Sequence, residues 1–118
     1  MLRTMLQAKL HHAAVTRCEL EYHGSLTIDM DLVDAAGMLE FQQIQIYNGA
    51  SGARFETYII AGKRGTGEMQ VNGPAARLCQ PGDRIVVAAY SIYTADELRT
   101  HKPVVLLLDE KNRVTGRA

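Results

Sequence analysis

The sequence lacks charge imbalance, paired cysteines and long apolar runs, and each shortage removes a class of function. Lys plus Arg and Asp plus Glu number 13 each in 118 residues, and no local basic patch offsets that balance. A nucleic-acid partner, which is held first by phosphate neutralisation, is therefore not expected. The longest apolar run, VVLLL at Val104 to Leu108, is far short of the ~20 residues a spanning helix needs, so no membrane segment is predicted. Only Cys18 and Cys79 are present, without CxxC spacing, and no cationic, apolar leader opens the chain; the expectation is a reduced, cytoplasmic protein. His11, His12 and His23 have neither finger spacing nor an HExxH pattern, so no metal is expected. AGKRGTG lacks the spacing of a phosphate loop and GxGxxG is absent, which leaves Gly62 to Gly67 as a hairpin tip and no nucleotide site.

What is present is a chain of short β-rich segments. At this length the simplest organisation is a single domain over residues 1–118, able to bury roughly two thirds of its unfolded surface. Segments rich in β-branched and aromatic residues run over Leu2 to Val15, Ser25 to Met30, Ile44 to Asn48, Arg54 to Ala61, Glu68 to Val71, Arg84 to Tyr93 and Pro103 to Leu108. Glycine-bearing turns such as NGASG, VNGP and QPGD separate them, a pattern that predicts a mainly β barrel. Three stretches read as short helices. They are DLVDAAG, with Asp31 as N-cap and Gly37 as stop; PAARLC; and TADELRT, where Thr94 and Glu97 form a capping-box pattern. DAAGMLEFQQIQI and PAARLCQPGDRIVV echo each other, each running a helical turn into an apolar strand, which is either a pseudo-twofold repeat or coincidence.

The chemistry starts at Gly24-Ser25, placed at the mouth of a strand where glycine costs backbone entropy and packs nothing. It reads either as a turn or as a peptide bond meant to be broken. In the second reading the Ser25 hydroxyl attacks the Gly24 carbonyl carbon and the amide becomes an ester. Loss of the Ser25 α-proton with departure of the Gly24 carboxylate then leaves a dehydroalanine, which hydrolyses to a pyruvoyl group and ammonia.

Two further clusters carry charge. In AKLHH, Lys9 and His11 share one face of a strand, which suits either holding a carboxylate or simply facing solvent. In ARFETYIIAG, Arg54, Glu56 and Tyr58 share one face and Phe55, Thr57 and Ile59 the other. An arginine fork fits two carboxylate oxygens, and a phenol stays protonated at neutral pH and can act as an acid. Using Arg54, Thr57 and Tyr58 together requires a twist, a bulge or the site of a neighbouring subunit. VNGPAA offers backbone N–H groups at the start of a short helix, although Pro74 has none to give.

In combination, LRTMLQAKLHH, YHGSLTID, LVDAAGMLEFQQIQIYN, GARFETYII and VNGPAAR, in that order, closely resemble the bacterial aspartate 1-decarboxylase family over the chain up to about Tyr93. The resemblance implies a double-psi β-barrel with a few short helices, assembled as a homotetramer with active sites between subunits. It implies a zymogen that cuts itself into a short chain, 1–24, and a long chain, 25–118, that begins with a covalently bound pyruvoyl group derived from Ser25. Maturation is spontaneous or needs an accessory maturation protein, as in some members.

The activity implied is a lyase reaction, L-aspartate to β-alanine and CO2 through a Schiff base, in pantothenate and coenzyme A biosynthesis. By the same resemblance Thr57 would hydrogen-bond the Gly24 carbonyl during self-cleavage, and Lys9 and Arg54 would hold the substrate carboxylates. Tyr58 would protonate the carbon that lost CO2, and His11, Tyr22, Asn72, Gly73, Pro74 and Ala75 would line the pocket. One methylene is worth only ~1 to 3 kcal/mol in an apolar pocket, so rejection of glutamate would rest on the spacing of Lys9 and Arg54. Two positions depart from the family pattern: Pro74, where alanine is usual, and Tyr47, where a larger aromatic is usual, a change expected to act on packing. The segment after Tyr93 is assigned to the subunit interface or to framing the tail. The rival reading is a non-catalytic barrel that stays uncut and binds a small carboxylate or a protein partner.

Overall fold

Nine strands run through the computed structural model, which describes residues 1–118. They are β1 (Arg3–Ala14), β2 (Arg17–Glu19), β3 (Ser25–Asp29), β4 (Gln43–Asn48), β5 (Arg54–Gly62), β6 (Met69–Asn72), β7 (Arg84–Tyr93), β8 (Val104–Leu108) and β9 (Val114–Arg117). The mainly β architecture with few short helices agrees with the composition of the segments. The two strands that the sequence pattern misses, β2 and β9, are three and four residues long and charged, too short to display an alternation.

All nine strands lie in one sheet, in the order β2-β6-β3-β5-β4-β7-β1-β8-β9. Only Val15 and Thr16 separate β1 from β2, yet β1 pairs with β7 while β2 pairs with β6 at the far end of that order. A continuous segment serving both regions of the sheet bends it round into a barrel-like shape. Two halves are visible. β3 runs parallel to β5 as β6 does to β2, and β3–β6 and β4–β7 are antiparallel pairs. The echoing sequences occupy equivalent places, each leading through a short helix into one strand of the β4–β7 pair.

One cluster of 21 buried apolar residues fills the inside, with Leu10, Leu26, Ile28, Ile44, Ile46, Ile59, Met69, Val71, Ile85 and Leu106 drawn from seven strands. Each such side chain stabilises the fold by roughly 1.5 to 3 kcal/mol through burial alone. β8 pairs in parallel with β1, Lys9 level with Val105 and His11 with Leu107, so part of the segment after Tyr93 supports the strand that carries the basic cluster.

Helix α1 (Met30–Ala36) buries Leu32, Val33 and Ala36 against the sheet. Its N-cap is Asp29, not Asp31: the Asp29 carboxylate accepts the Asp31 N–H at 2.8 Å, as the geometry of a cap requires of the residue just before the helix. Gly37 ends it in the left-handed conformation at φ 72°, with its N–H on Asp34 O and the Met38 N–H on Val33 O, a Schellman pair that buries Met38. PAARL lies in a 3-10 helix over Gly73–Leu78 that ends at an extended Cys79, and the Thr94–Glu97 capping box is formed in both directions, at 2.8 and 3.1 Å.

Residues Gly62 to Gly67 are not a hairpin tip. β3 lies between β5 and β6 and pairs with both, so the connection crosses over the end of β3. Asp29 anchors that crossing: besides capping α1 it accepts the Gly65 N–H at 3.1 Å and the Gly67 N–H at 2.8 Å. No helix is long and apolar enough to cross a membrane, and both cysteines are free thiols.

Candidate active site

β3 and β6 pair antiparallel with Ser25 opposite Asn72 and Thr27 opposite Gln70. The alternation sends Leu26, Ile28, Met69 and Val71 into the core and leaves Ser25, Thr27, Gln70 and Asn72 together on the other face. That face is nonetheless dry, since Ser25 and Asn72 are 0% exposed and Thr27 8%. Burial of so many polar atoms is tolerated because they satisfy one another. The Asn72 Nδ2 donates to Ser25 Oγ and to Thr27 Oγ1, each at 2.9 Å, and Gln70 Nε2 donates to Asn72 Oδ1 at 2.7 Å. The Ser25 hydroxyl donates to His23 O at 3.2 Å.

The backbone just before Ser25 is gripped as closely. Gly73, at φ +69°, comes so near Gly24 that a Cβ on it would lie 2.7 Å from Gly24 Cα and 2.8 Å from Tyr22 O. A Cβ on Gly24 would in turn touch Pro74 Cδ at 3.5 Å. The Gly24-Ser25 peptide is therefore not a free turn; it is held between the start of the 3-10 helix and the polar face of β3 and β6.

β5 supplies the next two residues. Leu26 is level with Ile59 at the start of the parallel ladder, so Ser25, the first residue of β3, lies beside the β5 stretch that carries Tyr58 and, one residue further back, Thr57. The β4–β5 ladder continues unbroken from Gln43–Tyr58 to Tyr47–Arg54, so β5 has no bulge there, and Thr57 and Tyr58 keep to opposite faces. The Ser25 hydroxyl is engaged by His23 and Asn72 rather than by Thr57.

The basic residues lie elsewhere on the outward face. Lys9 is level with Ala88, Ala88 with Gln45 and Gln45 with Glu56, so β7 and β4 separate the Lys9 strand from the Arg54 strand, on the order of 14 Å at ~4.8 Å per strand. Arg54 is itself four residues from Tyr58, roughly 13 Å at ~3.3 Å per residue. Its guanidinium carbon stacks 3.9 Å above the Tyr47 ring, whose hydroxyl meets the Tyr90 hydroxyl at 2.9 Å. Tyr47 thus does more than fill space, because it fixes the fork of the arginine. Burial and the Tyr90 hydrogen bond push the Tyr47 phenol up, against the opposing pull of Arg54.

His11 is exposed, at a bulge where His12 takes φ 68° and the β1–β7 register slips. Partial burial, then the charges of Lys9 and His12, hold its imidazole below the ordinary 6.5. Tyr22 stands half out of the surface, beside a cavity of about 390 Å³ that Leu20, Glu21 and His23 also line. No group of three or more His, Cys, Asp and Glu side chains is arranged to hold a metal ion. One chain therefore brings together Gly24, Ser25, Asn72, Gly73 and Pro74, runs the Thr57–Tyr58 strand alongside Ser25, and puts two strands between the β1 that carries Lys9 and His11 and the β5 that carries Arg54.

The model of the family described as aspartate decarboxylase matches residues 1–115. The chain belongs to that family. It is 51% identical over 118 residues to the aspartate 1-decarboxylase of Heliobacterium modesticaldum, covering 100% of this chain and 89% of that relative. Identity to the enzyme of the same name from Alcanivorax borkumensis is 55% over 113 residues, 96% of this chain and 90% of the relative. To that of Bacillus cereus it is 48% over 114 residues, 97% and 90% of the two chains.

Two residues of the buried network escaped the sequence reading, Thr27 and Gln70. Their signal was present in the alternations Ser25-Leu26-Thr27 and Gln70-Val71-Asn72, polar residues two apart on strands otherwise made for the core.

Proposed function

We propose that the protein is a pyruvoyl-dependent aspartate 1-decarboxylase, removing carbon 1 of L-aspartate as carbon dioxide and releasing β-alanine for pantothenate synthesis. The observation that carries the reading is the buried Ser25 hydroxyl, held by Asn72 and His23 next to a Gly24 backbone clamped by Gly73. A serine so placed, in a chain of this family, is suited to attack its own preceding carbonyl.

In the proposed maturation the Ser25 Oγ bonds to the Gly24 carbonyl carbon, the C–N bond breaks, and the freed nitrogen takes the hydroxyl proton. Thr57, two residues before the Ile59 that pairs with Leu26, would donate to the oxyanion as side chains shift from the resting bonds, and such a donor contributes a few kcal/mol. Loss of the Ser25 α-proton expels the Gly24 carboxylate, and water then releases ammonia. The cut would not free the short chain 1–24, because β1 and β2 remain paired with β7, β8 and β6.

The donor set fits the group this produces. The Asn72 N–H that now meets a hydroxyl oxygen suits a carbonyl oxygen equally, and no charged side chain is hydrogen-bonded to Ser25. A pyruvoyl group there supplies an electrophilic ketone that takes the substrate amine and accepts the electron pair left by carbon dioxide. Arg54, braced on Tyr47, would bind the carboxylate that is retained, with Lys9 and His11 at the other. Tyr58 would hand a proton to the carbon. Tyr22, Gly73, Pro74 and Ala75 would close the pocket.

Because β7 and β4 separate the Lys9 strand from the Arg54 strand, and Arg54 is four residues from Tyr58 on β5, the proposed site draws on a second copy, as in a homotetramer with sites between subunits. The exposed Tyr90 and Ile92 on the same outward face are apolar surface that such a contact would cover. The reading is tested by incubating the purified, cut protein with L-aspartate and quantifying β-alanine, with L-glutamate as the rival substrate. β-Alanine from aspartate, and at least tenfold slower turnover of glutamate, is expected. A cut chain that yields no β-alanine overturns the assignment.

A further inference from the structure

The geometry points to Gln70 as a positioning residue that favours the orientation of the Asn72 side-chain amide in which Nδ2, and not Oδ1, faces Ser25 Oγ. The inference rests on the self-cleavage proposed above and names a residue that acts on it without touching the scissile bond.

The polarity of the network is fixed from its far end. The His23 carbonyl can only accept, so the Ser25 hydroxyl proton points to it across 3.2 Å. Ser25 Oγ, its one proton committed, can only accept from Asn72, so the atom facing it at 2.9 Å is Nδ2. The second N–H of the same amide goes to Thr27 Oγ1 at 2.9 Å. Asn72 Oδ1 therefore faces Gln70, which must donate, and does so through Nε2 at 2.7 Å. Reversing the Asn72 amide would take from Ser25 Oγ the N–H it accepts and turn the Asn72 NH2 toward the Gln70 donor.

The orientation matters to the chemistry because charge builds on Ser25 Oγ as its proton leaves. An N–H aimed at that atom stabilises the developing negative charge, whereas a carbonyl oxygen in its place repels it. Gln70 is only half-buried and Asn72 fully so, which makes the outer residue the one that can be changed without opening the core.

The test compares Gln70→Glu and Gln70→Met with the wild-type chain, following self-cleavage of freshly purified precursor by intact mass while recording the unfolding midpoint of each. Glutamate keeps the size of glutamine but presents only acceptors to Asn72 Oδ1, so it favours the reversed amide. Methionine keeps the bulk and removes the donor. Cleavage is expected to slow at least tenfold in Gln70→Glu and several-fold in Gln70→Met, with midpoints within a few degrees of wild type. A role in packing alone would instead leave the near-isosteric glutamate faster than methionine.

Equal cleavage rates in wild type and Gln70→Glu, or a loss of rate that tracks a loss of stability in both variants, overturn the positioning role alone. If Gln70→Glu does not fold, Gln70→Met decides, and wild-type speed in it overturns the role. A wild-type chain that stays intact both alone and with lysate from its source overturns the reading of the site and the positioning role with it.

Discussion

Gly73 lies against Gly24 so closely that one added methyl group would sit 2.7 Å from the Gly24 Cα. Two residues 49 positions apart by their numbers, 24 and 73, thus share a space that only glycine leaves open, and the peptide preceding Ser25 is pinned by it.

Gly73→Ala is therefore expected to abolish self-cleavage. The new Cβ meets backbone on both Gly24 and Tyr22, and the positive φ adds a cost of about 1 to 2 kcal/mol for any side chain. Intact mass after incubation, with the unfolding midpoint beside it, checks this; a folded Gly73→Ala chain cut at the wild-type rate contradicts it.

Tyr47 should separate into two functions. Tyr47→Phe removes the hydroxyl bonded to Tyr90 and keeps the ring under Arg54, so KM for aspartate should stay within about twofold. Tyr47→Leu removes the stack, worth ~0.5 to 1 kcal/mol, and should raise KM about two- to fivefold with little change in kcat. Steady-state kinetics on the three proteins decides, and identical KM values would show that the stack does not hold the fork.

Asp29→Ala should destabilise the fold by about 3 kcal/mol, since three backbone N–H groups, of Asp31, Gly65 and Gly67, lose one carboxylate. Urea unfolding measures it. A loss under ~1 kcal/mol would mean that water replaces the carboxylate at the crossing.

The pattern of side chains made most strands legible, because β-branched alternation is a local property. What was not legible depends on partners distant in sequence. The Gly62 to Gly67 connection has the composition of a hairpin, and only the insertion of β3 between β5 and β6 makes it a crossing. The N-cap fell to Asp29 instead of Asp31 because the same carboxylate is also claimed by the loop after β5. Around Ser25, Asn72 and Gly73 were named through the family motif, and the fold places both against Gly24-Ser25. Thr27 and Gln70 join the hydrogen bonds around Ser25 only once β3 and β6 are paired.

The pH response of His11 follows from its surroundings. Its proton is disfavoured in the folded chain by burial first, then by Lys9 and His12, so the folded value lies below the unfolded 6.5. A depressed imidazole leaves its contribution to stability intact above about pH 6.5 and loses it as pH falls through that value toward the folded one. Titrating the His11 ring protons by NMR should give a midpoint below 6.5 that moves up, though not fully back, in Lys9→Met. A wild-type midpoint at or above 6.5 contradicts the account.

The most direct test is the intact mass of the purified protein under denaturing conditions, before and after warm incubation, with Ser25→Ala as control. Two fragments are expected, residues 1–24 and a long chain from position 25 that resists N-terminal sequencing, with Ser25→Ala remaining whole. A wild-type chain that remains whole, alone and after addition of lysate from its source to supply any maturation protein, would contradict self-cleavage and favour a non-catalytic barrel.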